Sequence, residues 1–132
     1  MKIYLIFFAI LLTTCRTQRN QPLVLCVDNA NPFNVTKVTF NDLYTSKNLE
    51  GKTINIEGRF SYNFEDIALY PSKSDAKGIW LAFDSKILQQ DSLLVKLNGK
   101  KVEVTGIIDL SNKGHLNSYF CTLSSISCIK EK

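Results

Sequence analysis

LEGKTINIEGRF (residues 49–60) and LNGKKVEVTGII (residues 97–108) are two versions of one pattern, 48 positions apart. Each begins with Leu-x-Gly-Lys, continues with apolar side chains at every second position, and carries a glycine, Gly58 or Gly106, on the apolar side. A period of two is that of a β-strand with one buried face. A glycine on that face indicates a strand that bends or lies close to another backbone. Two long, bent strands of this kind predict a small closed barrel.

The segments around the two repeats predict the remaining elements. Strands are expected in six segments: 22–27, 53–64, 67–70, 79–84, 101–110 and 118–129. The apolar parity of the last strand changes across Ser124-Ser125, as a β-bulge requires. Residues 39–42 (TFND) have the form of a capping box and predict a short helix to about Lys47. A second helical pattern covers residues 87–97.

Three strands, a helix and two more strands are the order of the OB-fold, a five-stranded, partly open Greek-key barrel. The expected fold class is therefore mainly β, an OB-fold-like barrel with a helix between its third and fourth strands and a short N-terminal helix. An SH3-like barrel and a β-sandwich are the alternatives, and neither accounts as well for the helical pattern at residues 87–97.

The N-terminus has the pattern of an export signal. Lys2 precedes ten apolar residues, Ile3 to Leu12, which are too few to span a bilayer, since a helix needs about 20. Residues 12–15 (LTTC) resemble a bacterial lipobox. The resemblance implies a signal peptide at residues 1–14, acyl chains on Cys15 as the membrane anchor, a tether at residues 15–22 and one domain at residues 23–132. The alternative is an ordinary secretory signal with an incidental cysteine.

Further motifs resemble those of small exported bacterial OB-fold lipoproteins, over roughly residues 38–129. The segments that carry the resemblance are 38–43 (VTFNDL), 49–52, Gly58, 69–71 (LYP), 79–81 (IWL), 97–100, Gly106, 114–115 (GH) and 123–126 (LSSI). The resemblance implies a lipid-anchored protein of the cell envelope. Since Arg16, rather than aspartate, follows Cys15, it implies the outer membrane, facing the periplasm. Members of the group are mostly uncharacterised, so no catalytic residue is carried over.

The net charge and the number and spacing of the cysteines narrow the range of possible functions further. The 132-residue chain has a formal charge of +4, and its cations are mostly scattered singly, so a nucleic-acid partner is not expected. Export permits a disulfide, and Cys26 with Cys128 would tie the first strand to the last. The alternative is that Cys26, Cys121 and Cys128 stay free as small apolar residues. The absence of any CxxC spacing argues against a zinc site.

The sequence offers no recognisable catalytic constellation. His115, the only histidine, lies in the loop before the last strand, and no Gly-x-Ser-x-Gly or phosphate-binding loop is present. The adjacent carboxylates Glu65 and Asp66 suit a hairpin turn better than an acid–base pair or a metal site. We therefore expect no enzymatic activity, no cofactor and no metal. The alternative is an enzyme with a catalytic cleft that converges on His115.

Aromatic residues provide the one binding signal. Tyr70 and Trp80 fall on the strands that OB-folds use for ligands, with Lys73, Lys77 and His115 nearby as further candidate contacts. Stacking on such rings contributes about 1–3 kcal/mol per base in single-strand binders. The alternative is that Trp80 simply packs in the core. The sequence thus favours a non-enzymatic module that binds a small ligand or an envelope protein. A structural or accessory envelope protein is the alternative, and an oligonucleotide-binding domain comes after it.

Overall fold

The computed structural model describes residues 21–27, 34–72 and 77–132. Its elements, in chain order, are β1 (Val24–Cys26), β2 (Thr36–Val38), α1 (Phe40–Thr45), β3 (Thr53–Asn63), β4 (Asp66–Tyr70), β5 (Ile79–Leu81), α2 (Ser85–Leu88), α3 (Asp91–Leu97), β6 (Lys101–Asp109), a 3-10 turn (His115–Asn117) and β7 (Cys121–Glu131). The predicted signal peptide and Cys15 lie outside the described residues. Within these residues, no helix has the length and apolar character needed to cross a membrane.

Five strands close into a barrel, which confirms the expected mainly β fold. β3 pairs with β4, β4 with β5, β5 with β7, β7 with β6, and β6 with β3 again. The β5–β7 pair is parallel and the other four are antiparallel. Two short strands extend this barrel, β1 along β7 and β2 along β3. The three-residue strand β2 has no counterpart among the predicted strands.

The two sequence repeats form β3 and β6, which pair with each other along most of their length. Their alternating apolar side chains face the interior and are at most 1% exposed: Ile54, Ile56, Phe60, Val102, Val104 and Ile108. The prediction was wrong at Phe64, which is 98% exposed. The pairing of Asn63 with Asp66 ends the hairpin there, so the chain turns before Phe64 can continue the inward series.

Two of the three α-helices, α1 and α2, begin at capping side chains. The predicted capping box is present, since the Thr39 hydroxyl accepts from the backbone of Asp42 and the Asp42 carboxylate accepts from the backbone of Thr39. Asp84 caps α2 in the same sense by accepting from two backbone N–H groups. Because Asp84 is a cap, β5 ends at Leu81 rather than reaching residue 84. The segment predicted as one helix at 87–97 forms parts of both α2 and α3.

The predicted bulge in the last strand is present. The β6–β7 register shifts between Thr105 and Ile107, and three residues of β7 (125–127) lie opposite Gly106. Ser125 has a φ of +46°. Beyond the bulge Ile129 pairs with the buried Val104, so the adjacent Cys128 lies on the opposite face of the strand, where it is nonetheless only 8% exposed.

The cysteines occupy two different environments. Cys26 of β1 pairs directly with Cys128 of β7, and the two are joined by a disulfide that spans 102 positions of sequence. Cys121 is free and fully buried. Burial raises the pKa of the Cys121 thiol to about 12, so this thiol is neutral and unreactive at physiological pH.

Close backbone approach at the two repeat glycines predicts a loss of stability on adding a methyl group. A Cβ at Gly58 would lie 2.6 Å from the Tyr70 carbonyl oxygen, and one at Gly106 would lie 2.8 Å from that of Ser124. We expect Gly58→Ala and Gly106→Ala each to lower the free energy of unfolding by about 1–3 kcal/mol, measured by urea denaturation. Ile107→Ala, on the outward face beside Gly106, is the control. Glycine variants as stable as this control would contradict the close approach.

Candidate functional site

Trp80 lies on the outer face of β5, between the buried side chains of Ile79 and Leu81. It is half-buried. The imidazole of His115 stacks on it with the ring centroids 6.2 Å apart and the planes inclined by 28°. The ring of Tyr119 also packs against the indole, with the ring centroids 5.1 Å apart and the planes inclined by 53°. The structure therefore brings together Trp80 and His115, two residues that the sequence placed only on a strand and in a distant loop.

Asp66 connects Tyr70 to the same surface. One of its carboxylate oxygens accepts hydrogen bonds from the hydroxyls of Tyr70 and Tyr119, at 2.7 and 2.8 Å. The other accepts one from the hydroxyl of Ser61. Burial by itself would raise the pKa of Asp66, but these three hydrogen bonds outweigh it and hold the pKa below its ordinary value. Asp66 is thus a charged acceptor that fixes two tyrosines.

The two tyrosines act as neutral donors. Burial, followed by the hydrogen bond to Asp66, raises the pKa of Tyr70 to about 12. The same causes raise the pKa of Tyr119 further. A phenol that stays protonated across the physiological range, with its proton committed to Asp66, positions the aromatic ring rather than exchanging protons with a substrate.

Of the two predicted lysine contacts, Lys77 lies at the edge of this surface. The backbone carbonyl of Lys77 accepts a hydrogen bond of 2.7 Å from the Tyr44 hydroxyl, while its side chain is exposed. Next to it, Gly78 lies so close to the Tyr70 ring that a Cβ there would come within 2.7 Å of a ring carbon. Lys73 lies outside the described residues. Arg59, which the sequence did not single out, places its guanidinium 5.8 Å from the centroid of the Tyr70 ring.

We call the cluster of Tyr70, Trp80, His115 and Tyr119, with Asp66 at its centre, the Trp80 surface. Two large apolar side chains flank it. Phe64, in the β3–β4 turn, is 98% exposed, and Leu116, in the β6–β7 loop, is 80% exposed. Phe64 adjoins the Glu65 carbonyl that lies 3.4 Å from the Tyr119 hydroxyl, and Leu116 follows His115 directly. Exposed large apolar residues beside half-buried aromatic rings are typical of binding surfaces.

The charges around the Trp80 surface balance. Three cations and three carboxylates belong to residues 59–70, 77–80 and 109–120: Arg59, Lys77, Lys113, Glu65, Asp66 and Asp109. A polyanion such as a nucleic acid needs an excess of cations along its path, and these segments do not supply one. In the part of the chain that the structure describes, no group of three His, Cys, Asp or Glu side chains could hold a metal ion.

A cleft elsewhere on the barrel offers fewer groups for recognition than the Trp80 surface. The cleft formed by residues 21–23 with Lys100, Glu131 and Lys132 has a volume of about 610 Å³. Lys100 is paired with Glu131, and Lys132 with Glu57 and Glu103, so its charges are already neutralised. None of its lining residues is aromatic. The Trp80 surface is therefore the stronger candidate.

Sequence reasoning missed Asp66 and Tyr119. Asp66 was assigned to a turn, but it begins β4. Tyr119 was assigned to the inward face of the last strand, but β7 begins only at Cys121, and Tyr119 packs on Trp80 instead. These two residues are 53 positions apart, and no local pattern indicates that they meet.

The Asp66 cluster predicts a stability that depends on pH. Asp66→Asn replaces a charged acceptor of three hydrogen bonds, so we expect the free energy of unfolding at pH 7 to fall by about 1–3 kcal/mol. Because the folded pKa of Asp66 lies below the ordinary 3.8, its contribution is present above that pH and is lost as the pH falls through the folded pKa. The variant and the wild type should therefore differ less in urea denaturation below pH 3.8 than at pH 7.

Glu65→Gln is the matched control, since it changes the neighbouring, exposed carboxylate by the same chemistry. It should leave stability within about 0.5 kcal/mol of the wild type at both pH values. If Asp66→Asn and Glu65→Gln behaved alike, the three hydrogen bonds to Asp66 would have no energetic role.

The chain matches no family model, no curated protein and no solved structure. What the Trp80 surface does must be inferred from its own residues.

Proposed function

We propose that this protein is a lipid-anchored envelope protein whose OB-fold barrel binds an envelope protein or a small ligand at the Trp80 surface, without catalysis. Acyl chains on Cys15 would hold it to the membrane, in the outer membrane and facing the periplasm. The observation that carries the binding role is the exposure of Phe64 and Leu116 on two loops that flank the half-buried Trp80.

The order of strands supports the OB-fold assignment. The ring β3–β4–β5–β7–β6, with β5 parallel to β7 and helices α2 and α3 between β5 and β6, follows the arrangement expected of that fold. OB-folds bind ligands on their second and third strands and on the loops after the first and fourth strands. In this chain those are β4, β5, the β3–β4 turn and the β6–β7 loop, which together carry the Trp80 surface.

Two competing functions are less well supported. A purely structural protein would have no reason to expose Phe64 and Leu116 beside an aromatic cluster. An oligonucleotide-binding domain would need a cationic path, and the charges around Trp80 are balanced. The groups available for acid–base chemistry are also committed, since both oxygens of Asp66 accept hydrogen bonds.

The anchor is tested by the intact mass of the protein purified from membranes of its host. We expect a chain that begins at acylated Cys15 and contains one bridge, so that two more thiols become alkylatable after reduction. Cys15→Ser should lose the acyl mass and leave the membrane fraction. A full-length, unacylated chain with all four thiols alkylatable would refute the lipoprotein assignment and return oligonucleotide binding to consideration.

The binding surface is tested by site-specific photo-crosslinking in the intact envelope. A benzophenone amino acid at Phe64 and, separately, at Leu116 should capture the same partner, and Trp80→Ala should abolish both crosslinks. Val95, which is 55% exposed on α3, is the control position and should capture nothing. Equal capture at all three positions, or capture that survives Trp80→Ala, would show that the Trp80 surface is not the binding site.

A further inference from the structure

A row of side chains crosses the outer face of the barrel through Trp80. The strand registers place Ser61 beside Ala68, Ala68 beside Trp80, Trp80 beside Thr122, and Thr122 beside Asp109. Outward side chains of a small barrel normally reach solvent. Three of these are nonetheless buried, with exposures of 7%, 0% and 1%: Ser61, Ala68 and Thr122. Something therefore lies over the outer face of β4, β5 and β7.

The segment over this face is the β6–β7 loop. Gly114 is pressed against Trp80 so closely that a Cβ there would lie 2.5 Å from the Trp80 Cβ, and the next residue, His115, stacks on the indole. Farther along, Tyr119 is tied to Asp66 by its hydroxyl. The loop thus lies across the surface on which OB-folds bind their ligands.

The backbone of this cover is strained. Leu116 and Asn117 follow each other with φ values of +53° and +55°, and neither is a glycine. The left-handed region is unfavourable for a leucine but tolerated by an asparagine, so the strain lies at Leu116, and such strain concentrates at ligand clamps and switch regions. Leu116 also leaves its side chain in water. Opening a strained loop therefore costs less free energy than opening a relaxed one.

Beneath the cover lies a polar atom without a partner. The hydroxyl oxygen of Thr122 is buried and makes no hydrogen bond within the described structure. A buried hydroxyl left unpaired is destabilising, and native proteins rarely retain one without a reason. Thr122 neighbours Trp80 in register, so its hydroxyl is placed to bond a group that stacks on the indole.

We infer that the β6–β7 loop covers a ligand site floored by Trp80 and Thr122, and that an uncharged ring carrying hydroxyl groups enters it by displacing His115. This inference rests on the proposed function and gives it a ligand class. A ring with a broad apolar face is required because the imidazole of His115 now stacks on the indole. Hydroxyl groups satisfy Thr122, and the balanced local charge favours a neutral ligand such as an oligosaccharide.

Trp80 is the only tryptophan of the chain, so its fluorescence reports on the site alone. The probe is chitohexaose, an uncharged oligosaccharide, with a uronic-acid hexasaccharide as the charged control. We expect His115→Ala and Gly114→Ala to make Trp80 at least twofold more sensitive to acrylamide quenching and to bind chitohexaose at least fivefold more tightly than the wild type. A cover that must open lowers the apparent affinity of the closed protein by the fraction that is open.

Gly99→Ala is the matched control for Gly114→Ala. Both glycines have positive φ values, +78° and +66°, but a Cβ at Gly99 would meet nothing within 4 Å. Gly99→Ala should therefore change neither quenching nor affinity. Thr122→Val tests the hydroxyl, because it should leave stability unchanged or raised while weakening chitohexaose binding at least fivefold in the His115→Ala background. A residue with only a structural role would not combine these two effects.

Each other outcome overturns the inference. Equal binding of chitohexaose to the wild type and the loop variants would show that the loop is not a cover. Equal or tighter binding of the charged hexasaccharide would refute the neutral class, and no binding by any variant would refute the ligand class. Crosslinking at Phe64 and Leu116 is independent of the sugar, so the proposed binding function can survive all three results.

Discussion

Closure of the barrel depends on one strand, β3, that pairs with two neighbours along different parts of its length. β3 pairs with β6 through Thr53–Arg59 and with β4 through Arg59–Asn63, so the ladder changes partner at Arg59. A strand can do this only if it coils sharply, and Gly58, at the point of change, lets the Tyr70 backbone approach to a distance that a methyl group would block. The interior side chains can pack against one another only because β3 coils at this point.

The same constraint positions the Trp80 surface. Once β3 has passed to β4, the hairpin places Asp66 at the start of β4, where its carboxylate reaches Tyr70 on its own strand and Tyr119 at the far end of the chain. Two loops that are distant in sequence are thereby fixed to one another. The rigid barrel supplies the geometry, and the loops supply the exposed apolar groups, which is the usual division between scaffold and recognition.

Much of the fold could be predicted because it is encoded by local repetition. The alternating residues of both repeats, the capping box at Thr39 and the bulge at Ser125 each depend on neighbours within a few positions. The errors arose where a contact between residues far apart in sequence determines the local structure. Phe64 continues the apolar alternation in sequence but lies past the end of the hairpin, and Cys128 faces away from the barrel interior because three residues of β7 lie opposite Gly106.

Of the candidate site, only Tyr70, Trp80 and His115 were predictable, because their ring-bearing side chains fall on the strands and loop where an OB-fold would bind a ligand. Asp66 and Tyr119 could not be found in this way. The sequence around a carboxylate beside a turn, or around a tyrosine beside an apolar strand, is the same whether or not the two side chains are in contact. Asp66 and Tyr119 are 53 positions apart, so no helical or strand periodicity links them. The partners of Asp66 are fixed by barrel closure, which only the three-dimensional pairing reveals.

The chemistry of the Trp80 surface favours recognition over reaction. Its carboxylate is saturated by three hydroxyl donors, and its tyrosines hold their protons because their pKa values are raised. The imidazole of His115 stacks on the indole with the ring planes inclined by 28°. Catalysis requires groups that are free to exchange protons with a substrate. Here those groups are used to hold aromatic rings in place, and rigid rings bind a partner with little loss of conformational entropy.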